Sequence, residues 1–269
     1  MPEELAVADI DGDGRLDVLA ASNGFQQIAW WRNSGSFGAD WSKTIIGSNF
    51  ANAYAIAVAD FDGDGDADVV GTARTDDDVS WFENTGNGAT WTEHPIDTDF
   101  NGGVDVLAVD MDRDGDIDVV SAAFDGSAIS WWENDGAGGT WTEHVIEDFW
   151  LSPSDVIAID LDRDGDLDIV AASPNGNAIA WWQNTNGDGS TWGAPVNIAT
   201  DFAGAQSLVA VDIDGDGDID LAAQNYNGVA WWENTEGDGS AWSFYPVDQE
   251  FPNGTSLHAR DLDGDGDAD

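Results

Sequence analysis

A nine-residue acidic segment recurs every 50 residues or so, and no other feature limits the fold as strongly. Asp-x-Asp-x-Asp-Gly-x-x-Asp begins at Asp9, Asp60, Asp110, Asp160, Asp212 and Asp261, at intervals of 51, 50, 50, 52 and 49 residues. Two other markers keep this register. One is the run Trp30-Trp31-Arg32-Asn33, with Trp81-Phe82-Glu83-Asn84, Trp131-Trp132-Glu133-Asn134, Trp181-Trp182-Gln183-Asn184 and Trp231-Trp232-Glu233-Asn234. The other is a lone tryptophan about ten residues later, at Trp41, Trp91, Trp141, Trp192 and Trp242. Of the 15 tryptophans, Trp150 alone falls outside the repeat. A fixed period of this length marks an array of like structural units.

Each unit reads as four short strands. In the third copy these are Val106 to Val109, Asp118 to Ala123, Ala128 to Glu133 and Thr140 to Ile146, with a turn at 134–139. β-Branched and aromatic residues fill the runs, and Gly, Asn and Asp separate them. No segment reads as a convincing helix. Side chains alternate along a strand, so adjacent tryptophans place one ring on each face and both faces must be covered. Four-stranded sheets buried on both sides at this period predict an all-β fold, the blades of a β-propeller. The small-residue strand after each acidic loop, such as Leu19-Ala20-Ala21-Ser22, suits a crowded position near a central axis. The repeats span approximately 5–50, 51–100, 101–150, 151–202 and 203–252, with a partial sixth over 253–269. Five complete blades and the start of a sixth predict one domain that is part of a six- or seven-bladed ring. The less favoured expectation is an assembly in which a neighbouring molecule completes the sixth repeat.

Charge narrows the function. The 269 residues include 54 Asp or Glu but 7 Lys or Arg, a formal net charge of −47. Such a surface repels phosphate backbones and anionic lipid, which disfavours nucleic-acid and membrane-surface binding and favours cations. With 42% apolar residues, the chain is too hydrophobic for a disordered acidic tail. Cysteine is absent, so disulfides and thiolate chemistry are excluded. No apolar run has the length of a membrane span, and no signal-peptide pattern opens the chain, which already reads as a strand from Leu5. That start raises the expectation that the natural beginning is missing.

Oxygen ligands at positions 1, 3, 5 and 9, with Gly at 6, make a tight loop suited to a hard cation. Calcium takes six to eight oxygens in flexible geometry, so clustered carboxylates suit it better than magnesium. The predicted ligands are Asp9, Asp11, Asp13 and Asp17; Asp60, Asp62, Asp64 and Asp68; Asp110, Asp112, Asp114 and Asp118. The later copies supply Asp160, Asp162, Asp164 and Asp168; Asp212, Asp214, Asp216 and Asp220; Asp261, Asp263, Asp265 and Asp269. Position 7 is expected to offer its backbone carbonyl, from Arg15, Asp66, Asp116, Asp166, Asp218 and Asp267. Apolar residues at positions 2 and 8 are expected to point into the core. An EF-hand is excluded, because it needs a carboxylate at position 12, which here is Ala20, Gly71, Ser121, Ala171 or Ala223. About one calcium ion per blade is the expectation.

These loops, with the Trp-Trp-Glu-Asn strands and the segment Thr142-Glu143-His144-Val145-Ile146, resemble FG-GAP/VCBS-type repeats over essentially the whole chain. The resemblance implies a propeller with a calcium site between the first two strands of each blade, an architecture shared with integrin α-subunit heads and some fungal lectins. It implies a secreted or surface-displayed protein but does not fix a ligand.

Little supports catalysis. His94 and His144 occupy one repeat position, held elsewhere by Thr44, Pro195 and Tyr245, which is a strand position rather than a site, and His258 stands apart. No nucleophile elbow, zinc-binding helix motif or P-loop occurs, and no acid pair is singled out among so many. Inter-blade packing explains the paired tryptophans better than sugar stacking does. Trp150, in a connection between blades, is the aromatic most expected to be exposed to a ligand. Asn33 and its equivalents read as turn stabilisers. Asn253-Gly254-Thr255 is a formal glycosylation sequon. The leading expectation is a non-enzymatic, calcium-stabilised scaffold or adhesion module at the cell surface or outside it. The alternatives are a lectin of the same fold, recognising a glycan or protein ligand, and an accessory propeller of a polysaccharide-degrading enzyme.

Overall fold

The computed structural model describes residues 2–35, 40–251, 254 and 256–259. They form twenty strands in five antiparallel sheets of four, each sheet built from consecutive strands in chain order. The first sheet holds β1 (Pro2–Ala8), β2 (Asp17–Ser22), β3 (Gln27–Asn33) and β4 (Trp41–Ser48). The second holds β5 (Ala53–Ala59), β6 (Asp68–Ala73), β7 (Asp78–Asn84) and β8 (Trp91–Asp97). The third holds β9 (Gly103–Val109), β10 (Asp118–Ala123), β11 (Ala128–Asn134) and β12 (Trp141–Glu147). The fourth holds β13 (Asp155–Ile159), β14 (Asp168–Ser173), β15 (Ala178–Trp182) and β16 (Val196–Ala199). The fifth holds β17 (Ser207–Val211), β18 (Asp220–Gln224), β19 (Val229–Asn234) and β20 (Trp242–Asp248). A single 3₁₀ turn, Asn23–Phe25, is the one helical element among the described residues. The strands expected of the third repeat match within a few residues at each end.

Two compact units divide the chain, Met1–Val145 and Ile146–Asp269. In the first unit, the core between sheets one and two gathers Leu19, Ile28 and Trp30 against Ile56, Val69 and Phe82. The core between sheets two and three gathers Val70, Val79 and Trp81 against Val106, Val119 and Trp132. In the second unit, Val170, Ile179 and Trp181 meet Leu208, Leu221 and Trp232. The period-two alternation of a strand accounts for the division: Trp30, Trp81 and Trp181 face the following sheet, and Phe82, Trp132 and Trp232 face the preceding one. Each ring removes on the order of 200 Å² from water, worth roughly 5 kcal/mol at most.

Close approach at these interfaces requires glycine. Gly88, Gly138 and Gly239 have φ of +77°, +62° and +71°, and a side chain on any of them would collide with the ring of Trp30, Trp81 or Trp181. Those rings come from the preceding sheet of the same unit, so a turn in one sheet is cut to fit an indole in its neighbour. The small-residue strands β6, β10 and β14 are buried along their whole length. They stand second in their sheets rather than at an edge, and the crowding that selects Ala, Gly and Ser comes from both sheet faces.

Candidate metal centres

Every described acidic loop joins the first strand of its sheet to the second. In the second sheet, Asp60 closes the turn by accepting the Gly63 N–H at 2.8 Å on Oδ1 and the Gly65 N–H at 2.9 Å on Oδ2. Asp62 Oδ1 accepts the Asp64 N–H at 3.1 Å, and Asp64 Oδ1 accepts the Asp66 N–H at 2.8 Å. Gly65, at φ +93°, supplies the left-handed bend expected at position 6.

Three carboxylates in each described loop come close enough to share an ion. The groups are Asp9, Asp11 and Asp13; Asp60, Asp62 and Asp68; Asp110, Asp112 and Asp118; Asp160, Asp162 and Asp164; Asp212, Asp214 and Asp220. Positions 1 and 3 thus take part throughout, while position 5 and position 9 alternate as the third member. The position 5 acid caps the N–H of the residue two further on in all five described loops, whether or not it joins the cluster. At position 7, the Asp116, Asp166 and Asp218 carboxylates lie against Gly136, Gly187 and Gly237 in the turn of their own sheet. Asp261, Asp263, Asp265, Asp267 and Asp269 of the sixth loop lie outside the described residues, as do Asn253 and Thr255 of the sequon.

The donor set fits a hard divalent cation. It is all oxygen and heavily over-charged, and Asp11 Oδ2, Asp110 Oδ1 and Asp160 Oδ1 are buried without a hydrogen-bond partner. Burial first, with neighbouring carboxylates adding to it, pushes Asp62, Asp112, Asp162 and Asp214 above the usual carboxylate range, and burial raises Asp11 likewise against the pull of Arg32. Burial pushes Asp68, Asp118 and Asp168 up to about 7 against the opposing pull of backbone N–H groups. A divalent ion would relieve both penalties, since it supplies the charge that desolvated carboxylates lack.

The position 9 carboxylate anchors the loop as well as facing it. Asp118 Oδ2 accepts the Met111 N–H at 2.9 Å and Oδ1 accepts the Asn134 N–H at 2.9 Å. Asn134 then spends its remaining polar atoms across the interface. Its Nδ2 donates to Ile117 O at 3.0 Å in its own loop and to Phe61 O at 2.7 Å in the preceding loop. Its Oδ1 accepts the N–H groups of Gly136 and Gly138, each at 3.1 Å. Asn84 repeats the pattern toward Ile10 O at 3.1 Å, and Asn234 toward Leu161 O at 3.4 Å. Turn stabilisation is therefore half of this asparagine's role: it also ties adjacent acidic loops together within each unit. Its recurrence 16 residues after position 9 in four repeats and 14 in the fifth is the available signal, but a partner in a different repeat has no local signature.

Other expectations need correction. Position 2 is buried at Ile10, Phe61, Met111 and Leu161, but position 8 is less so, and Leu16 is 62% exposed because β1 and β2 carry no preceding described sheet. Trp150 is half-buried, its ring edge-on to Trp182 at 5.0 Å between centroids, while the neighbouring Phe149 is 86% exposed. His94 and His144 lie flat on Trp81 and Trp131 at 4.7 and 4.4 Å and bond to Glu83 and Glu133 at 2.8 and 2.9 Å.

The first loop is unlike the rest. Arg15 at position 7 turns its guanidinium onto Asp13, and Arg32, from the row that holds Glu83, Glu133, Gln183 and Glu233 elsewhere, forms an ion pair with Asp11. Arg32 Nη2 also stands 3.4 Å from Asp13. Burial would raise Asp13, but the Arg15 N–H and the two guanidinium groups outweigh it and hold this carboxyl below its usual range.

Tandem four-stranded sheets, each with an acidic loop between its first two strands, define a class of all-β repeat protein. The FG-GAP-like repeat matches residues 9–71, 60–121, 110–171, 160–223 and 212–269, and the chain belongs to that family. No curated protein matches the chain by sequence. The V. cholerae biofilm matrix protein Bap1 shares the fold at 19% identity and a TM-score of 0.56, over 95% of this chain and 40% of its own. A Photorhabdus luminescens Tc holotoxin pore is 18% identical over 99% of this chain and 13% of its own, with a TM-score of 0.47. The chain thus spans less than half the length of either.

Proposed function

We propose that the protein is a non-enzymatic, calcium-stabilised scaffold or adhesion module that works outside the cell or on its surface. Its sheets are blades of a propeller, five of the six or seven in the ring. The carrying observation is the recurrence of one oxygen-rich carboxylate cluster at the same place in each of five sheets. Calcium is the cation, because the loops offer flexible oxygen ligands and the chain has a large excess of negative charge. The asparagine ties and the indole–glycine contacts within each unit are the kind of sheet-to-sheet bonding that a propeller repeats around its ring. A biofilm matrix setting, as for the V. cholerae neighbour, suits an acidic, cysteine-free scaffold of this kind.

A thermal melt in calcium and in excess chelator tests the metal. An ion bound by the folded state alone stabilises by RT ln(1 + [L]/Kd), about 2.7 kcal/mol at one hundred times Kd. The expected outcome is a Tm several degrees higher in calcium, and an unchanged Tm would remove the calcium reading. A glycan and protein-partner screen run in both conditions tests the role, with calcium-dependent retention on one glycan class shifting the reading from scaffold to lectin.

A further inference from the structure

We infer that the first acidic loop is held by arginine in place of a cation, so that this chain binds one calcium fewer than its count of acidic loops. The inference rests on the calcium reading of the other loops and separates one loop from them. The nine-residue loop 9–17 has four Asp and Arg15, and with Arg32 beside it the group has a formal charge of −2. The equivalent group at 60–68, five Asp with Glu83, has −6. Two guanidinium groups thus supply the positive charge that a divalent ion would bring.

Their placement matches the role. Arg32 forms an ion pair with Asp11, which is 8% exposed and whose Oδ2 accepts no hydrogen bond, and Arg15 hydrogen-bonds to Asp13, so a guanidinium stands beside each carboxylate at positions 3 and 5. Arg15 Nε is fixed from behind by donating to Asn33 O at 2.8 Å. The turn has adapted as well: the Asp13 N–H donates to both Asp9 Oδ1 at 3.1 Å and Asp11 Oδ1 at 3.2 Å. In the second loop the equivalent Asp60 oxygen takes the Gly63 N–H instead. A cation entering the first loop would have to displace two guanidinium groups and then sit beside them. At position 7 of the remaining described loops stand Asp66, Asp116, Asp166 and Asp218, with no arginine at the Arg32 row. Arg163 pairs with Asp218, whose carboxylate lies outside the cluster at 212, 214 and 220.

Ion counting by native mass spectrometry, with terbium luminescence as a second readout, decides the matter on the full chain. Three variants are compared with the parent: Asp60→Ala, Asp9→Ala, and the double exchange Arg15→Asp with Arg32→Glu, which installs the residues of the second repeat. The expected result is that Asp60→Ala removes one ion, Asp9→Ala removes none and the double exchange adds one. Arg32 is exposed and Arg15 partly so, and neither lies in a core, so the double exchange remains informative if Asp9→Ala fails to fold. A parent that loses one ion on Asp9→Ala, or a double exchange with an unchanged count, overturns the inference while the calcium reading survives. A parent that binds no ion overturns both.

Discussion

The third and fourth sheets anchor their acidic loops alike and part company at their fourth strands. At the acidic loop, Asp118 accepts from Met111 and Asn134, and Asp168 accepts from Leu161 and Asn184 in the same way, with distances from 2.9 to 3.2 Å. At the fourth strand, β12 runs for seven residues and β16 for four. Asn184 meets Trp192 through an isolated bridge where Asn134 stands at the end of a continuous strand. The sequence explains the loss: Thr142-Glu143-His144 is replaced by Gly193-Ala194-Pro195, and proline has no N–H to give a ladder. His144 lies on Trp131 and bonds to Glu133, whereas Pro195 can do neither, and Gln183 turns toward Asp162. An edge strand has one partner and tolerates such a change. The buried acid and asparagine, each with several partners, recur in both sheets.

The largest effect that could break this contrast is removal of the asparagine. Asn134→Ala leaves a buried carbonyl in each of two acidic loops and two glycine N–H groups without partners. The expected loss is roughly 2–4 kcal/mol in denaturant unfolding. Asn184→Ala should cost less, since Asn184 Oδ1 accepts from Gly187 and Gly189 at 3.1 Å but its buried Nδ2 has no hydrogen-bond partner. If the fourth-sheet variant cost as much as the third, the carbonyl ties of Asn134 Nδ2 would contribute nothing.

A smaller effect comes from pH. With burial raising Asp118 and Asp168 to about 7, against an ordinary value of 3.8, the folded metal-free chain keeps protons that the unfolded chain releases. Stability from these groups is therefore full below about pH 4 and is lost as pH rises through about 7. In chelator, Tm should fall between pH 5 and pH 8. Saturating calcium should flatten or reverse the trend, because the ion needs the ionised form. Asp118→Asn and Asp168→Asn should each remove a similar share of the slope, and a metal-free Tm that climbs over this range would contradict the burial of these acids.

Much of this was legible before any coordinates. Strand number and order, the two-sided burial of the tryptophan pairs and the clustering of the acids follow from a period of two within a period near fifty. The arginines of the first loop were visible as letters, yet Arg15 was expected to serve through its carbonyl. Only the fold brings Arg32, seventeen residues on, beside Asp11. The asparagine tie was hidden for the same reason: Asn134 and Phe61 lie 73 residues apart. Gly138 reads as an ordinary turn residue, and nothing near Gly88 or Gly239 marks them, because the ring that requires each belongs to a different repeat. Local chemistry was readable, and contacts between repeats were not.

The fourth strand offers the finest test. His144→Ala removes one stacked ring and one hydrogen bond from a half-exposed position, a loss of about 1 kcal/mol or less. Global Tm should barely move, because β12 is an edge strand and the cores lie elsewhere. Amide exchange should respond instead, since local opening has its own free energy. Protection should fall along Trp141–Glu147 and stay constant in β10. The converse variant, Gln183→Glu with Pro195→His, restores an N–H, a ring for Trp181 and an acid to hold it. It should add protection between Trp192 and Val196 and extend β16 toward the length of β12. If that variant exchanges as fast as the parent there, Gly193 rather than the missing histidine clamp shortens the strand, and replacing Gly193 with Thr becomes the change that should lengthen it.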